Sequence, residues 1–257
     1  MATVIVITNQ KGGVGKTTTV AAIGSSLGML NKKVLLIDMD PQGSLSFSFG
    51  TQIIENKTVY EVLKEDISAK DAIQHSKYFD IIPSDILLSR SEVEFSGSGF
   101  EKILKNSLRP LQRLYDYIII DTPPALNILT VNAYTAANYL IIPMSADILS
   151  LLGLSQLQDT VDAVKASYNQ NLHVLGILMT KVQSNTRLSA EVREMAESLA
   201  SQMNTKVFQN HIRNNISIAE APAHGISIFE YDAKSNAAQD YLNFIEEIAK
   251  DISLSED

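Results

Sequence analysis

A short glycine-rich segment constrains the fold of this chain more than any other feature of the sequence. Residues 11–18 read KGGVGKTT, directly after the apolar run Thr3–Thr8 and before a stretch that suits a helix. Glycines let backbone N–H groups turn inward around a phosphate chain, and the start of a helix adds the positive end of its dipole. Lys16 can reach β- and γ-phosphates, and the Thr17 hydroxyl can bind Mg²⁺. The segment therefore predicts a binding loop for a nucleoside triphosphate.

The loop departs from its ordinary form in two ways. The common pattern GxxxxGK[ST] requires glycine at position 10, where this chain has Gln10, and an additional lysine, Lys11, follows. A lysine on the rim of its own loop is badly placed to hold the phosphates beneath that loop. It can instead extend to a γ-phosphate held by a facing subunit and stabilise transition-state charge there, as an arginine finger does. The alternative is a solvated loop lysine without such a role.

Carboxylates follow two further apolar runs. Asp38 and Asp40 follow the apolar residues of the segment VLLIDMDPQG, and Asp121 follows those of YDYIIIDTPP. Ligands of open α/β sheets collect at the carboxyl ends of the strands, and residues two apart at a strand end can face the same side. Of Asp38 and Asp40, one can hold a water bound to Mg²⁺ while the other orients the attacking water. Asp121 occupies the position from which a carboxylate holds Mg²⁺ through water. A strand that ends in solvated aspartates is the alternative.

Apolar runs alternate with helical patterns along the chain. The runs are Thr3–Thr8, Val34–Ile37, Asp80–Ile82, Tyr117–Ile120, Tyr139–Ile142 and Val174–Met179. Continuous apolar runs are typical of strands buried on both faces of a parallel sheet. Two later stretches show apolar residues at helical spacing: Leu188, Val192, Met195, Leu199 and Met203, then Ala237, Tyr241, Phe244, Ile248 and Ile252. We expect an α/β fold, a single doubly wound, mostly parallel sheet flanked by helices, in one domain over residues 1–257.

The glycine-rich segment and the two segments with strand-end aspartates together resemble the motifs of a known family. KGGVGKTTT is similar to the deviant Walker A box of the ParA/MinD superfamily, and DMDPQG to its second box. The segments IIPMSADILSLLGLSQL and AEAPAHGISIFEYDAKSNAAQDY also resemble this family, so that the likeness covers nearly the whole chain. It looks most like the short, Soj-type ParA partition ATPases. The resemblance implies slow, partner-stimulated, Mg²⁺-dependent ATP hydrolysis in a homodimer that sandwiches the nucleotide.

The resemblance also assigns roles to individual residues. The implied catalytic residues are Lys11, Lys16 and Asp40, the last with the hydrolytic role. The implied nucleotide-binding residues are Lys11, Gly12, Gly13, Val14, Gly15, Lys16, Thr17, Thr18 and Asn215. The implied metal shell is Thr17, Asp38 and Asp121. We therefore expect ATP and Mg²⁺ as the ligands, with Asn215 recognising adenine.

The stretch associated with DNA binding departs from the family pattern. Asn185 and Ser217 stand where Soj-like members have the arginines that serve non-specific DNA binding. Residues 179–217 nevertheless hold more basic than acidic side chains, although the net charge of the whole chain is −8. From these basic side chains we predict a DNA-binding set of Lys181, Arg187, Arg193 and Arg213. A dimer would double this set, and non-specific affinity rises steeply with the number of phosphate contacts. A solvated helix face with i,i+4 ion pairs is an equally good interpretation.

Composition narrows the choice among relatives. The chain has no cysteine, which excludes cysteine-ligated iron–sulfur clusters and thiolate metal sites. The last twelve residues carry five acidic side chains and one lysine, so an anionic membrane should repel them. The start lacks a basic leader, and no apolar run approaches the roughly 20 residues that span a bilayer. We expect a cytoplasmic protein, associated with the nucleoid if it binds DNA.

Two hypotheses about function remain open. The first is a DNA-partition ATPase whose ATP dimer binds DNA without sequence preference and is released when a centromere-binding, ParB-type partner stimulates hydrolysis. The second is a ParA-like ATPase that positions a protein cargo or regulator without binding DNA. Metabolic ligases and kinases of similar fold are disfavoured by Lys11 and the DMDPQG box.

Overall fold

The computed structural model describes residues 1–95, 99–183 and 186–256, and in these the strands form one seven-stranded sheet. The strands are β1 (Thr3–Ile7), β2 (Val34–Asp38), β3 (Gln74–His75), β4 (Asp80–Ile82), β5 (Tyr117–Asp121), β6 (Tyr139–Ser145) and β7 (His173–Thr180). Their order across the sheet is β3-β4-β2-β5-β1-β6-β7. Every neighbouring pair is parallel except β3 and β4. The predicted α/β fold with a mostly parallel sheet is confirmed.

Helices connect the strands. The α-helices of the described residues are α1 (Lys16–Met29), α2 (Ser44–Ser48), α3 (Val59–Leu63), α4 (Ser91–Glu94), α5 (Ile103–Leu108), α6 (Ile128–Ala136), α7 (Ile148–Ser167), α8 (Arg187–Gln202), α9 (Ser217–Ala223), α10 (Ile228–Tyr231) and α11 (Asn236–Glu256). Short 3₁₀ helices cover Ile86–Arg90, Phe100–Lys102 and Leu111–Arg113. In the part of the chain that the structure covers, we find no helix with both the length and the apolar character needed to cross a membrane.

The sheet has a hydrophobic core on each face. Successive side chains of a strand point to opposite faces, so Val4 and Val6 of β1 pack in one core while Ile5 and Ile7 pack in the other. Helices α6, α7 and α8 cover the first face, and α1 and α11 cover the second. Because both faces are covered, the central strands carry apolar side chains on both faces rather than at alternate positions, as in Val4–Ile7 of β1 and Val34–Ile37 of β2.

Most of the predicted elements are confirmed, with two differences. All six predicted strands form, but the two-residue edge strand β3 was not predicted, because its polar residues carry no strand pattern. The apolar stripe predicted for α8 is wrong in its details. Leu188 and Met195 are about half exposed, at 48% and 49%, whereas Val192, Ala196 and Ala200 face the core. Helix α8 packs against α7 and β7. Small side chains such as Ala196 and Ala200 allow a close approach between elements, and they therefore lie on the buried face of α8.

The register of the sheet brings three strand ends to one level. Asp121 at the end of β5 pairs with Ile7 of β1 on one side and with Asp38 of β2 on the other. The glycine-rich segment follows β1 directly. The residues predicted to bind phosphate and metal therefore start from one edge of the sheet.

Two helical glycines give a test of the packing. A Cβ on Gly28 of α1 would overlap the carbonyl oxygen of Tyr78, a backbone atom that cannot rotate away. We expect Gly28→Ala to lower the free energy of unfolding by about 1–3 kcal/mol, which urea denaturation would measure. Gly153→Ala in α7 is the matched control. Its Cβ would meet Asn9 Oδ1 at 3.8 Å, an ordinary contact, and alanine favours the helix. Equal urea midpoints for the Gly28 variant and the wild type would contradict this packing.

Candidate nucleotide-binding site

The glycine-rich segment forms a loop that leads into α1. Gly13 and Gly15 have φ values of +73° and +92°, which glycine adopts without the steric cost of a side chain. Gly15 immediately precedes α1, and the Thr180 hydroxyl donates to the Val14 carbonyl at 2.8 Å, which braces the loop against β7. A Cβ on Gly12 would meet no atom within 4 Å, so the crest of the loop faces open space.

A cavity of about 550 Å³ lies beneath this loop. It extends from Asp40, at the β2 side, to the segment 212–215 that precedes α9. The predicted residues that line it are Gly12, Gly13, Gly15, Lys16, Thr17, Thr18, Asp40 and Asn215. Val14 is buried behind the loop. The structure thus brings the predicted phosphate-binding residues and Asn215 to one cavity.

Lys16 lies inside the loop. Its side chain is buried, and Nζ donates to the carbonyl oxygen of Lys11 at 3.2 Å. Burial lowers the pKa of Lys16, and the nearby carboxylates of Asp121 and Asp40 partly oppose this. A buried ammonium with a single neutral acceptor has further donors for a phosphate.

Asp38 and Asp121 form a buried pair of carboxylates behind the cavity. Asp38 accepts hydrogen bonds from the Ser46 backbone and hydroxyl, at 2.9 and 2.8 Å, and burial raises its pKa to about 6. Asp121 accepts from the Thr17 hydroxyl at 2.7 Å. Burial and the adjacent Asp38 raise the pKa of Asp121 well above its usual value. Burial and their proximity to each other therefore disfavour two negative charges on this pair.

This donor set fits a magnesium ion that arrives with phosphates. Within residues 1–95, 99–183 and 186–256, Asp121 Oδ1 is buried and has no hydrogen-bond partner. A buried acceptor without a donor is rare, and a cation or its bound water would satisfy it. Carboxylate and hydroxyl oxygens are the protein ligands that Mg²⁺ takes in combination with phosphates and water. Thr17, Asp38 and Asp121 supply such oxygens at neighbouring positions.

Asp40 is oriented differently from this pair. Its carboxylate lines the cavity and accepts from the Gln42 backbone N–H at 3.0 Å, while the Ser84 hydroxyl donates to its carbonyl at 2.6 Å. The turn after β2 is therefore fixed and leaves a partly exposed carboxylate at the cavity. Such a group can accept a hydrogen bond from a water molecule.

Lys11 points away from this cavity. Its Nζ donates to both carboxylate oxygens of Asp147, at 2.7 and 2.8 Å, and to the Ser150 hydroxyl at 3.1 Å. Although partial burial opposes ionisation, hydrogen bonds from Lys11, Ser145 and Ser150 lower the pKa of Asp147 to about 2. The lysine thus lines a neighbouring cavity of about 370 Å³, beside the start of α7.

The sequence did not reveal Asp147 or Ser46 as members of the site. Asp147 caps the N-terminus of α7, where aspartate is common for local reasons, so no sequence signal separates the cap from a partner of Lys11. Ser46 belongs to a five-residue helix, and its bonds to Asp38 depend on how α2 folds back on β2.

The residues predicted to bind DNA have varied surroundings. Arg187 and Arg193 form i,i+4 ion pairs with Glu191 and Glu197. Arg213 donates to both carboxylate oxygens of Asp240.

Of the other positions in that stretch, Lys181 lines the nucleotide cavity, and Ser217 is buried and donates to Asp232 at 3.2 Å. Asn185 lies outside the described residues. DNA binding by this set remains a prediction.

The buried carboxylates give a prediction about stability. Asp121→Asn replaces a carboxyl group whose charged form burial and Asp38 disfavour, so we expect the ligand-free variant to be more stable at pH 7 by about 1–3 kcal/mol. A carboxylate whose pKa is raised by folding destabilises the native state increasingly as pH rises above its ordinary value. The advantage of the variant should therefore shrink as pH falls toward 4. Urea denaturation without Mg²⁺ would measure it, with exposed Asp159→Asn as the control. A variant less stable than the wild type at pH 7 would contradict the buried-charge interpretation.

Comparisons with known proteins show the family of this chain. A family model described as an AAA domain matches residues 2–174. The sporulation initiation inhibitor protein Soj of Bacillus subtilis is 38% identical over 253 residues, which cover 97% of this chain and 99% of Soj. The chromosome partitioning protein ParA of Myxococcus xanthus is 37% identical over 251 residues, 96% of this chain and 88% of ParA.

A solved structure matches over the same length. Cobyrinic acid a,c-diamide synthase from Mycobacterium smegmatis, with a bound ATP analogue and magnesium, is similar at a TM-score of 0.84 and 32% identity. The match covers 97% of this chain and 95% of that one. Taken with the loop, the strand-end carboxylates and the near-complete overlap with Soj and ParA, these matches show that the chain belongs to the ParA/MinD-type partition ATPases.

Proposed function

We propose that two copies of this chain close around MgATP and that hydrolysis opens the pair, which makes the protein a switch for DNA partitioning. The observation that carries this proposal is the position of Lys11. Its ammonium group lies outside the nucleotide cavity of its own subunit, in the neighbouring cavity beside the start of α7, where Asp147 holds it. A cation in that position suits a phosphate presented by a second copy.

The residues of one subunit account for nucleotide binding. Backbone N–H groups of the loop and the start of α1 would hold the β-phosphate, and the buried Lys16 would bridge β- and γ-phosphates. The Thr17 hydroxyl and the carboxylates of Asp38 and Asp121 would hold Mg²⁺, which neutralises charge on the phosphates when bound. The ATP analogue and magnesium bound by the Mycobacterium smegmatis protein support these ligands.

Asp40 is the residue best placed to act on water. Its carboxylate lines the cavity on the β2 side, where the γ-phosphate would lie next to Asp38 and Asp121. Because the Gln42 and Ser84 bonds fix the turn, Asp40 can orient an attacking water without rearrangement of its backbone. Slow turnover follows, since a single subunit lacks the second cation that the transition state needs.

A transfer of Lys11 from Asp147 to a phosphate of the second copy would couple ATP binding to dimer formation. The side chains of Lys11 and Asp147 are 35% and 40% exposed, and such an ion pair contributes only about 0–1 kcal/mol. Contact with a facing triphosphate can therefore replace Asp147 at little cost. ATP would stabilise the dimer, because the contact between Lys11 and the facing triphosphate exists only in the dimer. ATP binding and dimer formation would therefore favour each other.

The arginines predicted to bind DNA already have partners within the chain. Arg187, Arg193 and Arg213 each have a carboxylate partner, and a paired arginine must give up that partner to bind a phosphate. This favours the second candidate function, a ParA-like ATPase that positions a protein cargo without binding DNA. The family relationship favours the first, in which a centromere-binding, ParB-type partner stimulates hydrolysis on the nucleoid.

Pairing can be tested with two variants. We expect Asp40→Ala to bind ATP but not hydrolyse it, and to accumulate as a particle of twice the monomer mass in light scattering. Lys11→Ala should bind ATP and remain a monomer, because the trans contact is missing. Lys16→Ala, which should lose nucleotide binding, is the control for ATP dependence. A monomeric Asp40→Ala protein at saturating ATP would rule out the sandwich.

Retention on random-sequence duplex DNA separates the two candidate functions. If DNA is bound, ATP-loaded Asp40→Ala should be retained at low salt, and log affinity should fall linearly with log salt. Arg187→Ala should reduce that slope, whereas Lys70→Ala, at the opposite edge of the sheet before β3, should not. Absence of retention at low salt would favour the protein-cargo function.

A further inference from the structure

The end of β7 is fixed against the phosphate loop. Thr180 is buried, and its hydroxyl donates to Val14 in the middle of the loop at 2.8 Å. A Cβ on Gly15 would lie 3.8 Å from the Thr180 methyl group, so only a small space separates this part of the loop from the strand. The residue that follows Thr180 therefore has a defined position relative to the loop.

That residue, Lys181, has an unusual backbone. Its φ is +53°, in the left-handed region that lysine rarely adopts and that costs conformational strain. The chain on either side of this turn is tied down. Val182 donates from its N–H to the Ile212 carbonyl at 3.0 Å, and Asn214 donates to the Val182 carbonyl at 3.1 Å. A strained conformation that the surrounding structure holds in place points to a use for the side chain.

The side chain of Lys181 extends over the loop. Its Nζ lies 4.0 Å from the position that a Cβ on Gly13 would take. Together with Gly12 and Gly13, Lys181 lines both the nucleotide cavity and the neighbouring cavity that holds Lys11. Across the described ranges, Lys181 is not a member of any hydrogen bond or ion pair, whereas Lys11 and Arg213 have carboxylate partners.

The sheet order indicates which part of a nucleotide Lys181 would meet. Asp40 and the buried carboxylates come from β2 and β5, and the order β2-β5-β1-β6-β7 puts Lys181 on the other side of the loop. The γ-phosphate belongs with the carboxylates and the metal. Lys181 lies between the loop and segment 212–215, which leads to Asn215 at the adenine end. A nucleotide bound in this way would present to Lys181 the α- and β-phosphates that ATP and ADP share.

We infer that Lys181 is a nucleotide-binding residue that acts within its own subunit, on the α- and β-phosphates. This rests on the proposed binding of ATP and Mg²⁺, and it adds a cation that the loop motif does not contain. It also gives Lys181 a role different from the DNA contact predicted from the sequence. This role differs from that of Lys11. Lys181, which acts within its own subunit, should contribute to the affinity for both ADP and ATP, whereas Lys11 should contribute only in the dimer that holds ATP.

Calorimetric titration with MgADP tests the inference, because ADP supports neither hydrolysis nor the triphosphate dimer. We expect Lys181→Met to bind ADP about three- to tenfold more weakly, as suits a solvent-exposed charge on a phosphate. Lys181→Arg should stay within about twofold of the wild type, since it keeps the cation. Lys70→Met, an exposed lysine at the far edge of the sheet, is the matched control and should bind like the wild type.

Lys181→Gly separates binding from folding. Glycine relaxes the left-handed turn, so this variant should fold at least as well as the wild type and still lose ADP affinity. Wild-type ADP affinity in both Lys181→Met and Lys181→Gly would overturn the inference, and a loss of DNA retention in those variants would then assign Lys181 to DNA. If the wild-type protein itself fails to bind ADP, the proposed function fails first.

Discussion

The carboxyl groups of Asp38 and Asp121 lie side by side at the ends of adjacent strands with no exposure to water. Their pKa values are raised because burial disfavours the charged form, and Asp121 Oδ1 has no partner among the residues the structure describes. The parallel register of β2 and β5 imposes this proximity, and Thr17 and Lys16 surround it with one hydroxyl and one ammonium. A buried pair of carboxyl groups stabilises the fold less than an apolar pair would, and in the proposed function Mg²⁺ and the phosphates of ATP would complete the arrangement. Under that proposal, the ligand would satisfy the buried acceptor that the described residues leave without a donor.

The phosphate loop joins this buried pair to the outside of the molecule. Its glycines allow Lys16 to turn inward while Lys11, five residues earlier, turns outward to Asp147. In the proposed function, Lys16 would bind the nucleotide of its own subunit, and Lys11, which a weak, half-exposed ion pair holds, would bind that of a second copy. The weakness matters, because a strongly held Lys11 would have to surrender several kcal/mol before it could meet another subunit.

Basic residues that look equivalent in the sequence differ once the chain is folded. Arg187 and Arg193 pair along α8 with glutamates four residues on, a result that the helical spacing itself allows. Arg213 pairs with Asp240, twenty-seven positions away, and no local pattern reveals that partner. Lys181 has no carboxylate partner among the described residues and lies over the loop. Net charge along a segment therefore says little about which cations are available, because pairing is decided by contacts between distant elements.

The sequence by itself determined the fold class, the six main strands and the identity of the loop and strand-end carboxylates. These follow from local rules: apolar runs buried on both faces, glycines before a helix, and acidic residues where a strand stops. It did not determine which face of α8 is buried, because close helix packing favoured alanines over Leu188 and Met195. Nor could it give the resting partner of Lys11 or the left-handed turn at Lys181. Asp147 is 136 residues from Lys11 and carries only the signal of an ordinary helix cap, and the two meet because β6 lies beside β1 in the sheet. Contacts of that kind are set by strand order, which only the tertiary structure decides.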